Sequence, residues 1–520
     1  MIGGKAVVAP FFKDGDKRYP LNCRGISLLS IVGKIYGGII NRRVMEWCEK
    51  YGVIAEEQGG FRVGRGCTDQ IFTLLELIKG RKCRLYCCFI DVKKAYDRVF
   101  RDGLWKRLWD VSIRGKMWRV LVGIYNKVES CVRVNSEKTE WFGVEVGVRQ
   151  GCVLSPVLFS VFINGLVDVV KELGLGVEFG VDMISMLLYA DDIVLFAKNR
   201  LEMLFISATV YEYSKRWRFE VNVKKTKIVV FGGQDQEDFE LGSQKVGVVD
   251  KYKYLGMLVR NRDRGRWKIQ KEKMIRKASK RLGKAWSMAM ISGCLSVRSG
   301  IKIWQALVRP VLEYGAEVWE EESDCLWIEA ERVQLKMGKR ILGCSMKMSN
   351  EVVRGELGWW TMRGRRVYLR ICYWGKLVKM SSDRLARRVY SESRRRWVEE
   401  GKKNWCSYTY RLMRMVGLED EWEREECGKD WKKIVYSKVQ WWEESSWRVS
   451  MLSKRKLRVY RVFQEKLCFE RYLESEKAEG RRELTRFGGG TNRLRIEIGR
   501  REGLEVEDRV CQFCCSGVED

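Results

Sequence analysis

The alternation of apolar and polar positions is sharpest near the middle of the chain. There LLYADDIVLF (187–196) sets two apolar runs, Met186–Tyr189 and Ile193–Phe196, on either side of a short polar centre. Such a pattern predicts a β-hairpin with Asp191 and Asp192 at or beside its turn. A second run, Leu85–Ile90, predicts a buried strand closed by Asp91. Upstream, residues 5–36 alternate apolar and basic groups and then turn helical. Thr68 and Asp69 offer an N-cap to an amphipathic helix. CVRVN and EWFGVEV, within 128–146, read as a two-stranded ribbon around a polar turn at Ser136–Thr139. Ser155 and Pro156 open a long apolar helix, proline being suited to a first helical turn. Downstream of the hairpin, residues 201–218 read as a helix, FEVNVKKTKIVVFGG as a strand and KYKYLGMLV as a short strand pair.

The pattern changes after about residue 262. Ten Lys or Arg fall between Arg264 and Lys284, on a helical repeat carrying Trp267, Ile269, Met274 and Leu282. Helical periodicity continues to about 345, and residues 350–480, rich in Trp and Arg with few turn signals, read as mostly helical. Gly488–Gly490 mark a linker within Phe487–Asn492. The division expected is therefore 1–260, 261–345, 346–486 and 487–520.

Composition narrows the chemistry. A hydrophobic content of 46% over 520 residues suffices for two to four domains with real cores. A formal net charge of +31 attracts polyanions, above all nucleic acid, with a membrane surface as the formal alternative. No apolar run approaches the ~18 residues of a transmembrane helix, and the N-terminus lacks the basic-then-apolar pattern of a signal peptide. The 18 cysteines are scattered, several within apolar runs, which favours reduced intracellular thiols over a disulfide framework. Cys511 and Cys514 have metal-ligand spacing, but a structural zinc usually takes four ligands. With only Cys515 left, a truncated or inactive knuckle is expected. Histidine is wholly absent, which excludes catalytic triads, histidine-metal hydrolases and imidazole acid–base schemes. Phosphoryl transfer on two metal ions fits what remains, because positioning and electrostatics carry it.

Several residue groups suit that chemistry. Adjacent carboxylates at a sheet edge repel each other unless a cation neutralises them, and Mg²⁺ takes oxygen ligands, completing its shell with substrate phosphates. A metal shared between Asp91 and the hairpin explains an anion at the end of a buried strand. Lys13 and Arg24 serve equally as a triphosphate grip or as a solvated basic face. Gly59, Gly60, Gly64 and Gly66 with Arg62 and Arg65 make a basic loop that approaches phosphates or simply turns. Tyr96, five residues after Asp91, is within reach of a bound sugar, whereas Asp97 with Arg98 reads as a local ion pair or helix cap. Gly147 and Gly151 bracket Arg149 and Gln150 in a loop open to a nucleotide. Tyr252 and Tyr254 flank Lys253, a pattern that supports a nucleic-acid backbone or an ordinary half-buried strand.

Taken in order, these segments resemble the reverse transcriptases of non-long-terminal-repeat (LINE-type) retrotransposons. The strings are RGISLLSIVGKIY (24–36), EEQGGFRVGRGCTDQIF (56–72), FIDVKKAYDRV (89–99), GVRQGCVLSP (147–156), LLYADDIVLF (187–196), NVKKTKIVVF (222–231) and YKYLG (252–256). The resemblance covers roughly residues 5–260, and LVRPVLEYGAEVW with IEAERVQLKMGKRILG extends it. It implies an α+β right-hand polymerase of fingers, palm and thumb, followed by a mostly helical C-terminal region. The implied activity is RNA-directed DNA synthesis on an RNA template with a DNA primer and dNTPs. Asp91, Asp191 and Asp192 match its catalytic, metal-binding triad, with two Mg²⁺ ions (or Mn²⁺) ~4 Å apart. Tyr96 matches the residue that screens against a ribose 2′-hydroxyl. Lys13 and Arg24 match finger residues near the triphosphate, Gln150 and Gly151 the nucleotide-facing loop, and Lys225 the lysine of the post-hairpin motif. YKYLG resembles the primer grip and the basic helix after Arg264 the thumb. The implied setting is an intracellular ribonucleoprotein, nuclear or cytoplasmic, without membrane partners.

The chain departs from the pattern at Cys23, where an aromatic residue is common, and at Gly37-Gly38, each of which weakens a helix by ~1 kcal/mol. It begins at the fingers, without the endonuclease domain many such elements carry upstream. A fragment truncated at both ends is therefore expected, with a catalytically inactive nucleic-acid-binding remnant as the alternative to an active polymerase.

Overall fold

The computed structural model describes residues 4–13, 15–16, 18–233, 235, 237–242, 244–261, 266–291, 296–319, 327–475, 478–490, 503–505 and 509. The Cys511/Cys514 pair lies outside the described residues. The chain divides into two compact units, Met1–Arg264 with Ser381–Glu400, and Gly265–Met380 with Gly401–Asp520.

The first unit starts with β1 (Lys5–Phe12) and β2 (Cys23–Leu28), followed by α1 (Ile31–Lys50) and α2 (Cys67–Gly80). Next come β3 (Leu85–Lys93), α3 (Arg101–Asp110), α4 (Gly115–Tyr125), β4 (Glu129–Val134) and the long helix α5 (Ser155–Glu172). The hairpin is β5 (Met186–Tyr189) and β6 (Asp192–Ala197), and α6 (Arg200–Arg216) follows it. Strands β7 (Glu220–Val221), β8 (Lys227–Phe231), β9 (Lys251–Tyr254) and β10 (Met257–Arg260) complete the unit's main frame.

Two sheets organise these elements. In one, β1 pairs antiparallel with β2, Phe11 opposite Arg24, and parallel with β4, Lys5 opposite Glu129. The ribbon expected over 128–146 is present, with β4 pairing to Glu137–Lys138 and Phe142–Gly143. Its parallel union with β1 was invisible locally, because it joins segments more than a hundred residues apart. In the other sheet β3 is central. It lies antiparallel to β6 on one side and to β7 and β8 on the other, with β5 outside β6. Residues Leu85–Ile90 of β3 are all buried, as a strand covered on both faces requires. The strand expected across residues 219–231 is broken into β7 and β8. At the break, the Asn222 amide bonds the Asp91 carbonyl (2.8 Å) and the Thr226 amide turns back to the Asn222 carbonyl (2.9 Å).

α5 is buried over most of its length, from Val157 to Val170, and shares one apolar core with β3, β6 and α6. The helix Leu385–Glu400 joins this unit from far along the chain, against α2. Ser393 donates to Glu76 Oε2 (2.5 Å), Arg396 to the Gly80 carbonyl (2.8 Å), and Arg388 pairs with Asp182 (2.9 Å).

In the second unit the basic stretch forms the helix Arg266–Ile291. Met274, Ala278, Leu282 and Ala285 are buried, three to four residues apart, so one face packs, and apart from the buried Lys271 most lysines and arginines take the rest. Trp304, Trp319, Trp374, Trp405, Trp422 and Trp447 are almost completely enclosed. Arg370, also fully buried, donates to Thr409 Oγ1 (2.8 Å) and to the carbonyls of Trp319 and Trp405. A guanidinium surrounded by carbonyls and a hydroxyl avoids much of the penalty of burial.

The hairpin turn is braced from behind by the segment Glu57–Gly60. Leu188 makes backbone hydrogen bonds to both Glu57 and Gly59 across that contact (Leu188 amide to Glu57 carbonyl and Gly59 amide to Leu188 carbonyl, both 2.9 Å). The Gln58 side chain is fully buried, and its Oε1 accepts from the amides of Ala190 (3.0 Å) and Gly60 (2.8 Å). Ala190 sits at φ 60°, a conformation a side chain adopts only when its surroundings hold it there. A Cβ at Gly60 would stand 2.4 Å from the Ala190 nitrogen, too close for either backbone to keep its position. Gly60→Ala is therefore expected to destabilise the chain by about 1–3 kcal/mol, as overpacking against backbone does. Urea unfolding checks this, and a loss below about 0.5 kcal/mol would show that the brace does not hold the hairpin.

Candidate active site

The register of the central sheet brings the predicted carboxylates together. Asp192, the first residue of β6, lies directly opposite Asp91 in β3. Paired residues of an antiparallel ladder have Cα atoms ~4.5–5.5 Å apart with side chains on one face. Asp191 occupies the turn immediately before, close enough to Asp91 for the two charges to interact. Three carboxylates separated by a hundred residues of chain thus share one strand end.

Their titration reports the crowding. Desolvation first, then the charges of Asp191 and Asp91, push the Asp192 carboxyl up to about 6. Asp191 is raised by burial and by Asp91, while Arg24 and Lys13 pull it back. The cations of the first sheet therefore reach the carboxylates of the second. Lys13 follows the end of β1, its amide bonded to the Asn22 carbonyl (2.9 Å), and Arg24 lies across the same ladder in β2.

The other predicted residues are held by different contacts. Tyr96 stacks on Phe159 (centroids 5.1 Å apart) and meets Phe61 edge-on (6.4 Å), and its hydroxyl is raised by burial and by the charge of Asp191. The Gln150 carbonyl accepts from the Ser27 amide (2.6 Å), and its side chain lies 3.4 Å from Asp97 Oδ1. That ties the loop after Gly147 to β2. Gly151 has φ +107°, and a Cβ there would stand 2.6 Å from the Ser27 carbonyl oxygen, so only glycine fits. Lys225 is exposed in the turn between β7 and β8, its amide bonded to the Asn222 carbonyl (3.0 Å). Tyr252 in β9 stacks on Phe89 (4.4 Å), and burial with the charges of Asp91 and Asp192 raises it to about 12.

Two supporting residues were not singled out from sequence. Asn222 donates from Nδ2 to Asp91 Oδ2 (2.9 Å), fixing that carboxylate from the turn that follows β7. Gln58 holds the turn that carries Asp191. An Asn inside an apolar strand pattern and a Gln before two glycines were the available signals, and each is equally common in ordinary turns.

The donor set fits a hard divalent cation. It is all oxygen, is acidic beyond what Lys13 and Arg24 offset, and sits at a strand end with its charges raised by one another. Among the described residues no three Cys, Asp or Glu side chains close into a ready-made cage. Mg²⁺ does not need one, since it is commonly held by one or two carboxylates together with substrate phosphates.

Because Asp192 is raised in the folded chain, its protonated form is favoured there, and the stability it contributes is lost as pH rises through about 6. Asp192→Asn should raise the melting temperature of the metal-free chain at pH 7.5, with the gain fading by pH 4.5. Mg²⁺ should stabilise the wild type more than the variant. Melting curves across pH check this; a gain of equal size at both pH values would refute the mutual repulsion.

Residues 13–259 match the family described as reverse transcriptase (RNA-dependent DNA polymerase). The chain is 24% identical over 367 residues to a probable RNA-directed DNA polymerase from transposon X-element of Drosophila melanogaster, covering 68% of this chain and 39% of that protein. It is 26% identical over 272 residues to a retrovirus-related Pol polyprotein from a type-1 retrotransposable element R2 of Nasonia vitripennis, covering 49% and 26%. To the RNA-directed DNA polymerase from mobile element jockey of Drosophila funebris it is 23% identical over 349 residues, covering 64% and 37%. The chain thus spans less than two fifths of the length of these relatives. Among solved structures, apo telomerase from Candida tropicalis aligns at TM-score 0.37 and 12% identity, covering 75% of this chain and 68% of that one.

Proposed function

We propose, from the reverse transcriptase (RNA-dependent DNA polymerase) domain that residues 13–259 constitute, that this chain synthesises DNA on an RNA template as part of a non-LTR retrotransposon. The observation that carries the reading is the pairing of Asp91 with Asp192 beside Asp191, at the end of a sheet that the cations of Lys13 and Arg24 also reach. Under this reading the first sheet with α1 acts as fingers, the β3-centred sheet as palm, and the basic helix from Arg266 as thumb.

Asp91 and Asp191 would be the principal ligands of two Mg²⁺ ions, with Asp192 completing the acidic face. When bound there, Mg²⁺ supplies activation of the primer 3′-hydroxyl and stabilisation of charge on the leaving pyrophosphate. The protein's own groups do the positioning. Asn222 and Gln58 hold the carboxylates, Lys13 and Arg24 offer a point charge and a planar fork to the triphosphate, and Gln150 and Gly151 border the incoming nucleotide. Lys225 is assigned to the departing pyrophosphate. Tyr96, packed against Phe159 and Phe61, is assigned to screen against a ribose 2′-hydroxyl and so to favour deoxynucleotides. Tyr252 and Tyr254 of β9 are assigned to the primer strand. The described cysteines are free thiols, in keeping with an intracellular ribonucleoprotein, nuclear or cytoplasmic.

The test is Mg²⁺-dependent dNTP incorporation on a primed RNA template. Asp191→Asn should lower the rate by roughly 10³-fold or more, since electrostatic stabilisation of developing charge is lost. Incorporation by the wild type with no loss in that variant, or none by the wild type, would sink the assignment, the second outcome favouring an inactive nucleic-acid-binding remnant. Tyr96→Val should admit ribonucleotides that the wild type rejects, read as the ratio of rNTP to dNTP incorporation on the same template.

A further inference from the structure

A cavity of about 590 Å³ lies at the far end of β1 from Lys13, between the first turns of α1, the end of α4 and the loop that carries Arg149. Its size falls within the range of small-ligand sites, roughly 300–1,000 Å³.

Three independent features mark it. The first is Arg149, which lines the cavity and is only 7% exposed. Its Nε and Nη2 have no hydrogen-bond partner among the described residues. The guanidinium rests 5.8 Å from the Tyr125 ring, and burial pushes its pKa below the ordinary value. A permanent cation left with open donors is unfavourable unless an anion completes it. Glu129 also borders the cavity but is paired with Lys5 (3.3 Å), and Lys127 adds a third cation.

The second feature is the N-terminus of α1, a 20-residue helix whose Leu29, Ser30 and Gly33 line the same space. First-turn amides have no intrahelical acceptors and carry partial positive charge. Ser30 Oγ satisfies that of Gly33 (3.1 Å).

The third is the space itself. Gly33 and Gly37, one turn apart, both border it, and a Cβ at Gly37 would meet nothing closer than Leu154 Cδ1 at 4.0 Å. Helix-interior glycine is unfavourable and protein interiors normally fill such gaps. Tyr36, Ile124 and Leu154 give the cavity an apolar wall opposite the cations.

We infer that this cavity binds a nucleoside bearing a phosphate monoester, either a free nucleoside monophosphate or the phosphorylated 5′ end of a strand. The phosphate lies between the Arg149 guanidinium and the α1 N-terminus, where a planar donor fork and helix amides both favour an anion. The nucleoside lies against the apolar wall.

The full chain, in EDTA, is titrated calorimetrically with AMP, with a 5′-phosphorylated trinucleotide and with the same trinucleotide ending in a 5′-hydroxyl. The phosphorylated probes should bind one site per chain, unaffected by Asp191→Asn. Arg149→Met and Gly37→Leu should each weaken that binding by about tenfold or more, equivalent to about 1.4 kcal/mol. Neither should lower the melting temperature, because one removes an uncompensated charge and the other fills a gap. Tighter binding of AMP identifies a free nucleotide as the source, and tighter binding of the phosphorylated trinucleotide a strand end. The inference is overturned if neither phosphorylated probe binds or if the 5′-hydroxyl trinucleotide binds as well as its phosphorylated form. Unchanged affinity in both variants overturns it too, as does Arg149→Met melting early with affinity intact.

Discussion

Like charges held at one strand end are the constraint around which the first unit is built. Asp91 and Asp192 face each other across an antiparallel ladder, with Asp191 in the adjoining turn. Left alone, such a cluster drives itself apart or takes up protons, and burial first, then the charges of Asp191 and Asp91, push the Asp192 carboxyl up to about 6. The backbone resists it. β3 is flanked on both sides by ladder partners, so its end cannot move without breaking hydrogen bonds to β6, β7 and β8. The turn at Ala190 is pinned by the buried Gln58 amide, and Asp91 is pinned by Asn222. The acidic point is thus preorganised, so little rearrangement is required when positive charge arrives.

The surroundings divide the remaining work between two kinds of residue. Cations from the first sheet, Lys13 and Arg24, act on Asp191 from exposed positions. There they remain hydrated. Apolar groups do the shaping: Phe159 and Phe61 fix Tyr96, and Phe89 stacks on Tyr252. Gly151 is the exception, where the absence of a side chain lets the Gln150 loop lie against the backbone of β2. Arg149, one residue before Gln150, turns the other way into the cavity beside α1. The loop that lies against β2 therefore also lines a basic cavity.

The second unit follows a different design. Its interior is filled by tryptophans and by arginines whose heads find carbonyl oxygens, while lysine and arginine crowd the open face of the helix from Arg266. Large rings allow few side chains to enclose a large volume, and the basic exterior gives any nucleic-acid contact a strong dependence on salt. The chain's surplus of 31 positive charges suits a polyanionic partner.

Much of this was legible in the chain itself. The short apolar runs around Asp191 and before Asp91 announced the hairpin and the central strand. The apolar run after Pro156 announced α5, and the 3.6-residue repeat beyond Arg266 announced a long basic helix. The missing histidines left any chemistry to carboxylates, Lys, Tyr, Cys or bound metal. These features depend on neighbours along the chain, whose spacing any reader of the pattern can see. What only the tertiary structure decided are the unions between distant segments: Asp192 opposite Asp91, Asn222 on Asp91, Gln58 behind Ala190, β4 parallel to β1, and the helix Leu385–Glu400 against α2. Such pairings follow from which buried surfaces and unpaired backbone groups satisfy one another once the chain has collapsed. No local period records that, so the ingredients of the site were written in order while its geometry emerged from folding.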